Sequence, residues 1–262
     1  MSPRARRPPV LTLTTDFGGK DAYVASMKGV VLRAVPEARI VDISHEIPPQ
    51  EIGEAGYVLA CAFPHFPAGT LHLLVVDPGV GTSRRLLAAR TRQHLFLAPD
   101  NGSLGLAFDI ESPLEIVEIP FPDSRVAPTF HGRDILAPAA ARLLQGAALS
   151  EIGPPVSNPL PFPVPQARPD PDGRLRVSVL SIDRFGNVIL NFRAQDAGVT
   201  PGPVLEIAGR RLTRRVLTYA EAPAAEPVLL FNSSGFLEVA VTNGSAAQTL
   251  GCARGTTGIL TL

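Results

Sequence analysis

Eight prolines, at positions 154, 155, 159, 161, 163, 165, 169 and 171, crowd the segment between Gly153 and Gly173. A stretch this stiff and this poor in backbone donors is expected to link rather than to pair in a sheet. It separates two patterns of hydrophobicity, so the chain is expected to fold as two domains. These are residues 1–153 and 173–262, joined by a Pro-rich linker over 154–172.

Before the prolines, apolar strand-like runs alternate with helical ones. Val10–Thr15, Arg39–Ile43, Leu71–Val76, Leu86–Arg90, His94–Ala98 and Leu114–Ile119 read as strands. Asp21–Ala34, Glu51–Phe63 and the Ala-rich Asp134–Leu144 read as helices, with Pro36 stopping the first. Such alternation predicts an α/β N-terminal domain with a mostly parallel central sheet covered on both faces. After the prolines come short strands separated by Gly, Asn and Pro turns: Leu175–Ile182, Val188–Phe192, Val204–Ile207, Val228–Phe231, Leu237–Val241 and Gly258–Leu262. No helix is expected there, which predicts a smaller all-β, barrel-like C-terminal domain.

Composition narrows the function. Lys plus Arg and Asp plus Glu both number 24, for a formal net charge of zero, which argues against nucleic acid as the main partner, since such binding needs a basic surface. Cys61 and Cys252 are the only cysteines and no CxxC spacing exists, so a structural zinc site is not expected and both read as buried free thiols. The segment Met1–Pro9 is basic without the apolar stretch of a signal peptide, and no run reaches membrane-spanning length. The expectation is a soluble cytoplasmic protein with no metal.

Three segments put a charged or titratable side chain where a strand-like run meets a Gly-containing turn: Thr14-Thr15-Asp16-Phe17-Gly18, Val75 through Arg84, and Thr129-Phe130-His131-Gly132-Arg133-Asp134. In open α/β sheets ligands bind at the carboxyl ends of strands, so Asp16, Asp77, Arg84 and His131 are expected to meet in one crevice. Asp16 has two readings, a carboxylate gripping a ribose diol or a cap for the next helix. Asp21 is the better cap, and it is also kept among the candidate substrate contacts. Gly79-Val80-Gly81-Thr82-Ser83-Arg84 lacks the final glycine of a dinucleotide fingerprint. Its glycines instead let the chain turn so that Arg84 folds back on Asp77 and holds it ionised. His131, flanked by the pocket-wall candidates Phe130 and Gly132, is read as holding or deprotonating a water. His45, His65, His72 and His94 are read as structural, and Arg133 and Asp134 as a local pair at a helix start. In the second half, Phe185 and Tyr219 offer faces for a flat base, Asn187 an amide edge, and Ser233 and Ser234 hydroxyls for a small carboxylate. Each of these also reads as a plain turn residue.

Taken together, Thr15-Asp16-Phe17-Gly18, Val76-Asp77-Pro78-Gly79-Val80-Gly81-Thr82, Phe130-His131-Gly132-Arg133-Asp134, Asp183-Arg184-Phe185-Gly186-Asn187 and Asn232-Ser233-Ser234-Gly235-Phe236-Leu237-Glu238 resemble, in order, the S-adenosyl-L-methionine hydroxide adenosyltransferase family. These are water-using relatives of the bacterial fluorinase and chlorinase. The resemblance implies a catalytic Asp77, Arg84 and His131, a ribose contact at Asp16, adenine contacts at Phe185, Asn187 and Tyr219, and methionine-end contacts at Asp183, Ser233 and Ser234. It further implies hydrolysis of S-adenosyl-L-methionine to adenosine and L-methionine without cofactor, in a homotrimer whose sites lie between subunits. The halogenases differ at Asp77, Val80, His131, Gly132 and Ser234, which disfavours halide use. A chlorinase and a non-catalytic adenosine-binding or S-adenosyl-L-methionine-binding protein stand as alternatives.

Overall fold

A computed structural model of the chain describes residues 7–121, 126–164, 166–169, 172, 174–196 and 203–262. Met1–Arg6 of the basic terminus, together with Pro165 and Pro171 of the Pro-rich segment, lie outside the described residues. The chain divides into two compact units between Pro163 and Val164.

The first unit runs β1 (Val10–Thr15), α1 (Tyr23–Ala34), β2 (Arg39–Ser44), α2 (Ile52–Ala62), β3 (Leu71–Val75), β4 (Leu86–Arg90), β5 (Leu95–Pro99), α3 (Gly105–Ile110), β6 (Glu115–Glu118), α4 (Ala137–Leu144) and α5 (Leu149–Ile152). Its six-stranded sheet has the order β2-β1-β3-β5-β4-β6. The first four strands are mutually parallel, and β4 runs antiparallel to both β5 and β6. Strand side chains alternate between two cores, as the period of two requires. Leu71, Leu73 and Val75 join Val24, Met27 and Val31 of α1 and Ala139, Ala140 and Leu143 of α4. On the opposite face Leu74, Leu87, Ala89, Phe96 and Ala98 pack with Ala55 and Leu59 of α2 and Ala107 of α3. Strands β1, β3, β4 and β5 are buried on both faces, which is why they read as mainly apolar runs, whereas the edge strand β2 is half-buried to exposed. Truncating a leucine such as Leu73 to Ala would cost about 3 kcal/mol.

Three details differ from expectation. Asp21 does not cap α1: Ala22 holds the cap position and no side chain caps it. The helix expected from Asp134 begins with a π-turn over Gly132–Leu136 before α4 proper. The Pro-rich segment does pair in part. Glu118 donates to the Pro154 carbonyl (2.9 Å) and Val156 to the Ile116 carbonyl (2.8 Å), which lays residues 154–156 along β6. Proline lacks the N–H but keeps its carbonyl, so it serves at a sheet edge.

The second unit comprises β7 (Arg168–Pro169), β8 (Leu175–Ile182), β9 (Val188–Arg193), β10 (Val204–Ile207), β11 (Arg210–Leu212), β12 (Pro227–Phe231), β13 (Phe236–Val241), α6 (Ala246–Leu250) and β14 (Thr257–Thr261). The strand order is β11-β10-β14-β8-β9-β13-β12, with β7 pairing β8. The first residues of β8 pair with β14 and the last with β9, across a bulge between Val179 and Ser181 that bends the sheet. Leu229 donates to the Arg214 carbonyl (2.8 Å) and Val216 to the Leu229 carbonyl (3.0 Å), so the segment after β11 meets β12 and the barrel nearly closes. The helix α6 was not expected. It is a single turn, too short for periodicity to show, held by Ser245 accepting from the Gln248 amide (3.1 Å) and ended by Gly251 at φ +67°.

One buried polar group sets an acid limit on the first unit. His72 is fully buried, bonded to Thr12 Oγ1 at 2.7 Å and stacked on Phe96 at 5.2 Å. Burial, reinforced by the nearby His94, pushes its pKa down from 6.5 to about 3. The unfolded chain therefore binds a proton that the fold refuses. The stability this represents is complete above pH 6.5 and drains away as pH falls toward 3, at up to about 1.4 kcal/mol per pH unit. Urea unfolding at pH 6.5 and pH 4.5 is expected to show a shallower loss for His72→Asn than for the parent. Equal losses would contradict this reading.

Candidate functional site

Parallel pairing places two chain ends side by side. β1 pairs with β3 in the register Thr15↔Val75, so Asp16 and Asp77 both leave the sheet at its carboxyl edge. Adjacent strands lie about 4.8 Å apart, which makes this edge a shared floor. The third part arrives with the π-turn ahead of α4. Gly132 is needed there, because a Cβ would stand 3.2 Å from Val75 Cγ1 and 3.3 Å from Met27 Sδ. Gly132 thereby lies against the end of β3, next to His131.

The Asp77–Arg84 loop closes as its glycines suggest. Gly81 sits at φ +83°, where a Cβ would lie 3.0 Å from the Pro128 carbonyl oxygen. Gly79 leaves room for the Arg84 stem. Arg84 Nε donates to Asp77 Oδ1 (2.8 Å) and Oδ2 (2.9 Å), and Arg84 Nη2 also bonds Oδ2. The same Nη2 lies 2.8 Å from His131 Nδ1. The Asp77 and Arg84 side chains are 7% and 10% exposed, and His131 is 4% exposed.

This geometry decides a tautomer. A guanidinium has no acceptor, so His131 Nδ1 must accept and the ring proton sits on Nε2. Burial and then the Arg84 charge push the His131 pKa below its usual value, against opposing pulls from Asp77 and Asp134. The imidazole is thus a neutral donor through Nε2–H. Of the two expectations for His131, this tautomer suits holding a water rather than deprotonating it, and Arg84 is the reason. Arg84 Nη1 is buried with no hydrogen-bond partner among the described residues. Phe121, which sequence reasoning missed, sets its ring edge-on to His131 (5.1 Å) with the Arg84 guanidinium 5.8 Å from its centre. No local pattern marked it.

The other first-unit candidates fall nearby or aside. Asp16 Oδ2 accepts from the Gln50 amide at 2.9 Å. Phe130 packs on Phe17 (5.9 Å) and Tyr23 (5.3 Å), tying the loop after β1 to the turn bearing His131. Asp21 is exposed. Arg133 and Asp134 pair locally at 2.6 Å.

Within the second unit, Asp183 organises its own hairpin. Its Oδ1 accepts from the amides of Phe185 and Asn187, both at 2.9 Å, and Oδ2 from Asn187 Nδ2 at 2.9 Å. Asn187 is consequently buried, with its amide nitrogen held by Asp183. Phe185 is 77% exposed and Tyr219 49% exposed. Ser233 and Ser234 are exposed in a turn organised by Asn232, whose Oδ1 accepts from Ser234 N (3.0 Å) and Phe236 N (3.1 Å). Tyr219 donates through its hydroxyl to Glu238 Oε1 at 2.8 Å. Burial and then Glu238 push the phenol up to about 12, and burial with the Asp183 charge raises Glu238. Glu238, 2% exposed on β13, carried no assigned role in the sequence, although it ends a motif.

Among the described residues no group of three His, Cys, Asp or Glu is placed to hold a metal ion, and no helix is long and apolar enough to cross a membrane.

The electrostatics can be checked by titration. In Arg84→Gln the His131 ring proton resonance is expected to titrate at higher pH than in the parent, and in Asp77→Asn at lower pH. An unmoved titration in both variants would show that the three groups do not interact.

Comparison with known proteins then adds to the geometry. Residues 11–153 match the S-adenosyl-L-methionine hydroxide adenosyltransferase N-terminal domain, and residues 177–258 match the corresponding C-terminal domain. An (R)-S-adenosyl-L-methionine hydrolase from Salinispora tropica is 39% identical over 253 residues, covering 94% of this chain and 95% of that protein. One from Thermus thermophilus is 40% identical over 252 residues, covering 92% and 95%. A fluorinase from Actinopolyspora mzabensis is more distant, 28% identical over 91% of this chain and 92% of its own. The crystal structure of an uncharacterized conserved protein from Thermotoga maritima superposes with a TM-score of 0.85 at 32% identity, covering 97% of this chain and all of that one.

Proposed function

Because the chain belongs to the S-adenosyl-L-methionine hydroxide adenosyltransferase family, we propose that this enzyme hydrolyses S-adenosyl-L-methionine to adenosine and L-methionine. An oxygen from water forms a bond to C5′ of the ribose while the C5′–S bond breaks. The bonding pair leaves with sulfur, which departs as a neutral thioether and needs no acid.

The observation that carries the mechanism is the guanidinium shared between Asp77 and His131. It leaves the His131 Nε2–H and the unpartnered Arg84 Nη1 as donors beside the carboxyl edge of β3. A set of donors without a free base suits hydroxide better than water. The proton is given up to solvent when water ionises, and the donors hold the anion left behind. Hydroxide meeting a sulfonium annihilates charge, so a site that excludes water favours the transition state over the separated ions. Asp77 offsets the Arg84 charge and fixes the fork in its plane. Asp16, at the adjacent strand end, is assigned to the ribose hydroxyls. Phe185, Asn187 and Tyr219 are assigned to adenine, and Asp183, Ser233 and Ser234 to the methionine end. The enzyme is proposed to work as a homotrimer, which light scattering of the purified protein tests.

The curated relatives named hydrolases share 31–40% identity with this chain, against 27–28% for the fluorinases, which does not favour a halogenase. Turnover in water enriched in heavy oxygen, with chloride present, is expected to place the label on the 5′-hydroxyl of adenosine. A 5′-chloro product, or methionine released without labelled adenosine, would overturn the reading. Asp77→Asn and His131→Ala are each expected to lower kcat by about a hundredfold, while adenosine affinity shifts by less than about threefold. Undiminished kcat in both would remove the triad from the chemistry.

A further inference from the structure

His45, at the end of β2, touches none of the three catalytic candidates, yet it stands at the centre of a connected polar chain. Phe17 N donates to Thr15 Oγ1 at 3.2 Å, and Thr15 Oγ1 lies 2.8 Å from His45 Nδ1. With its oxygen already accepting, the Thr15 hydroxyl is free to donate its proton to Nδ1, which places the ring proton of His45 on Nε2. His45 Nε2 lies 3.1 Å from Asp42 Oδ1, at ion-pair distance though off the ideal hydrogen-bond angle. Lys28 Nζ of α1 bonds the other oxygen of Asp42 at 2.6 Å. Donation converges on the Asp42 carboxylate, from the lysine on α1 on one side and, on the other, from Phe17 N through the Thr15 hydroxyl and the His45 imidazole. That hydroxyl is fully buried and directly precedes Asp16.

Two further bonds join the same loops. Gly18 N donates to the His45 carbonyl at 2.8 Å, and Gln50 N donates to Asp16 Oδ2 at 2.9 Å. Gln50 takes the left-handed conformation at φ +67° to do so, unusual for a residue other than glycine. The loop after β2 therefore clasps the loop after β1 at Thr15, Asp16 and Gly18. The Lys28–Asp42 pair is partly exposed, with side chains 30% and 40% accessible, so it adds little to global stability. Its effect is local, in the pose of His45.

We infer that His45, anchored by Asp42 and Lys28, is a positioning residue that aims the Asp16 carboxylate at the nucleoside. This rests on the reading that Asp16 holds the ribose. It assigns a shared task to three side chains that the triad chemistry does not use.

A coupling experiment on the full chain tests it, with adenosine as the probe in calorimetry. Asp16→Ala alone is expected to weaken adenosine binding, and if it does not, the ribose reading fails and this inference with it. Where Asp16→Ala does weaken binding, His45→Ala is expected to raise the adenosine Kd about tenfold, through loss of a preorganised contact. In the Asp16→Ala background the same change is expected to add nothing, because the two act through one contact. His45→Asn, which keeps an acceptor for Thr15, is expected to recover part of the affinity, and kcat at saturating S-adenosyl-L-methionine is expected to fall far less than affinity. Should His45→Ala fail to fold, Asp42→Asn provides the same comparison with a smaller rise. An unchanged Kd in His45→Ala or Asp42→Asn, or an equal loss with and without Asp16, overturns the inference.

Discussion

One guanidinium organises the carboxyl edge of the first unit's sheet. Arg84 spends Nε and Nη2 on Asp77 and shares Nη2 with His131, so a single planar group ties the end of β3 to the turn that starts α4. A lysine presents no fork and could not make both contacts in one plane. Asp77 and Arg84 are nearly buried, so removing either leaves an unpaired charge, at a cost of about 3–5 kcal/mol. The rest of the region is built around that pair. Gly79 makes way for the arginine stem, Gly81 lets the loop lean on Pro128, and Gly132 lets the π-turn press on Val75 and Met27.

The fold supplies the placement. A parallel β1–β3 pair brings Asp16 level with the Asp77–Arg84 loop, and the aromatic trio Phe17, Tyr23 and Phe130 joins the loops carrying Asp16 and His131. The second unit has its own polar focus, in which buried Glu238 receives the Tyr219 hydroxyl and the Asp183 hairpin presents Phe185. Hydrogen bonding there goes first into shaping turns. The Phe185 ring, half of Tyr219 and the serines of the 232–236 turn stay exposed.

Much of this was legible in the sequence because burial marks the hydrophobic pattern, unbroken over Leu86–Ala89 and alternating over Leu175–Val179. Val10–Thr15, Leu86–Arg90 and Leu175–Ile182 begin and end where the hydrophobic pattern begins and ends. The seven-residue return from Asp77 to Arg84 was legible from its glycines. What stayed hidden depends on contacts remote in sequence or on elements of a single turn. His45 meets Thr15 across thirty residues, and only the parallel pairing of β1 and β2 brings their ends together. Its place just beyond the end of β2 sets His45 apart from His72 within β3 and His94 just before β5. Phe121 carries no local signature, α6 is five residues long, and Asp21 loses the cap position to Ala22 because the helix starts two residues later than its apolar spacing suggested.

The catalytic proposal turns on the direction of one hydrogen bond. If Arg84 donates to His131 Nδ1, the imidazole faces the reacting oxygen as a neutral donor and the nucleophile is hydroxide held by donors. Nitrogen-15 chemical shifts of the His131 ring at neutral pH measure this directly. A pyridine-type Nδ1 with a pyrrole-type Nε2 is the predicted result. A proton on Nδ1, or a doubly protonated ring, would contradict it.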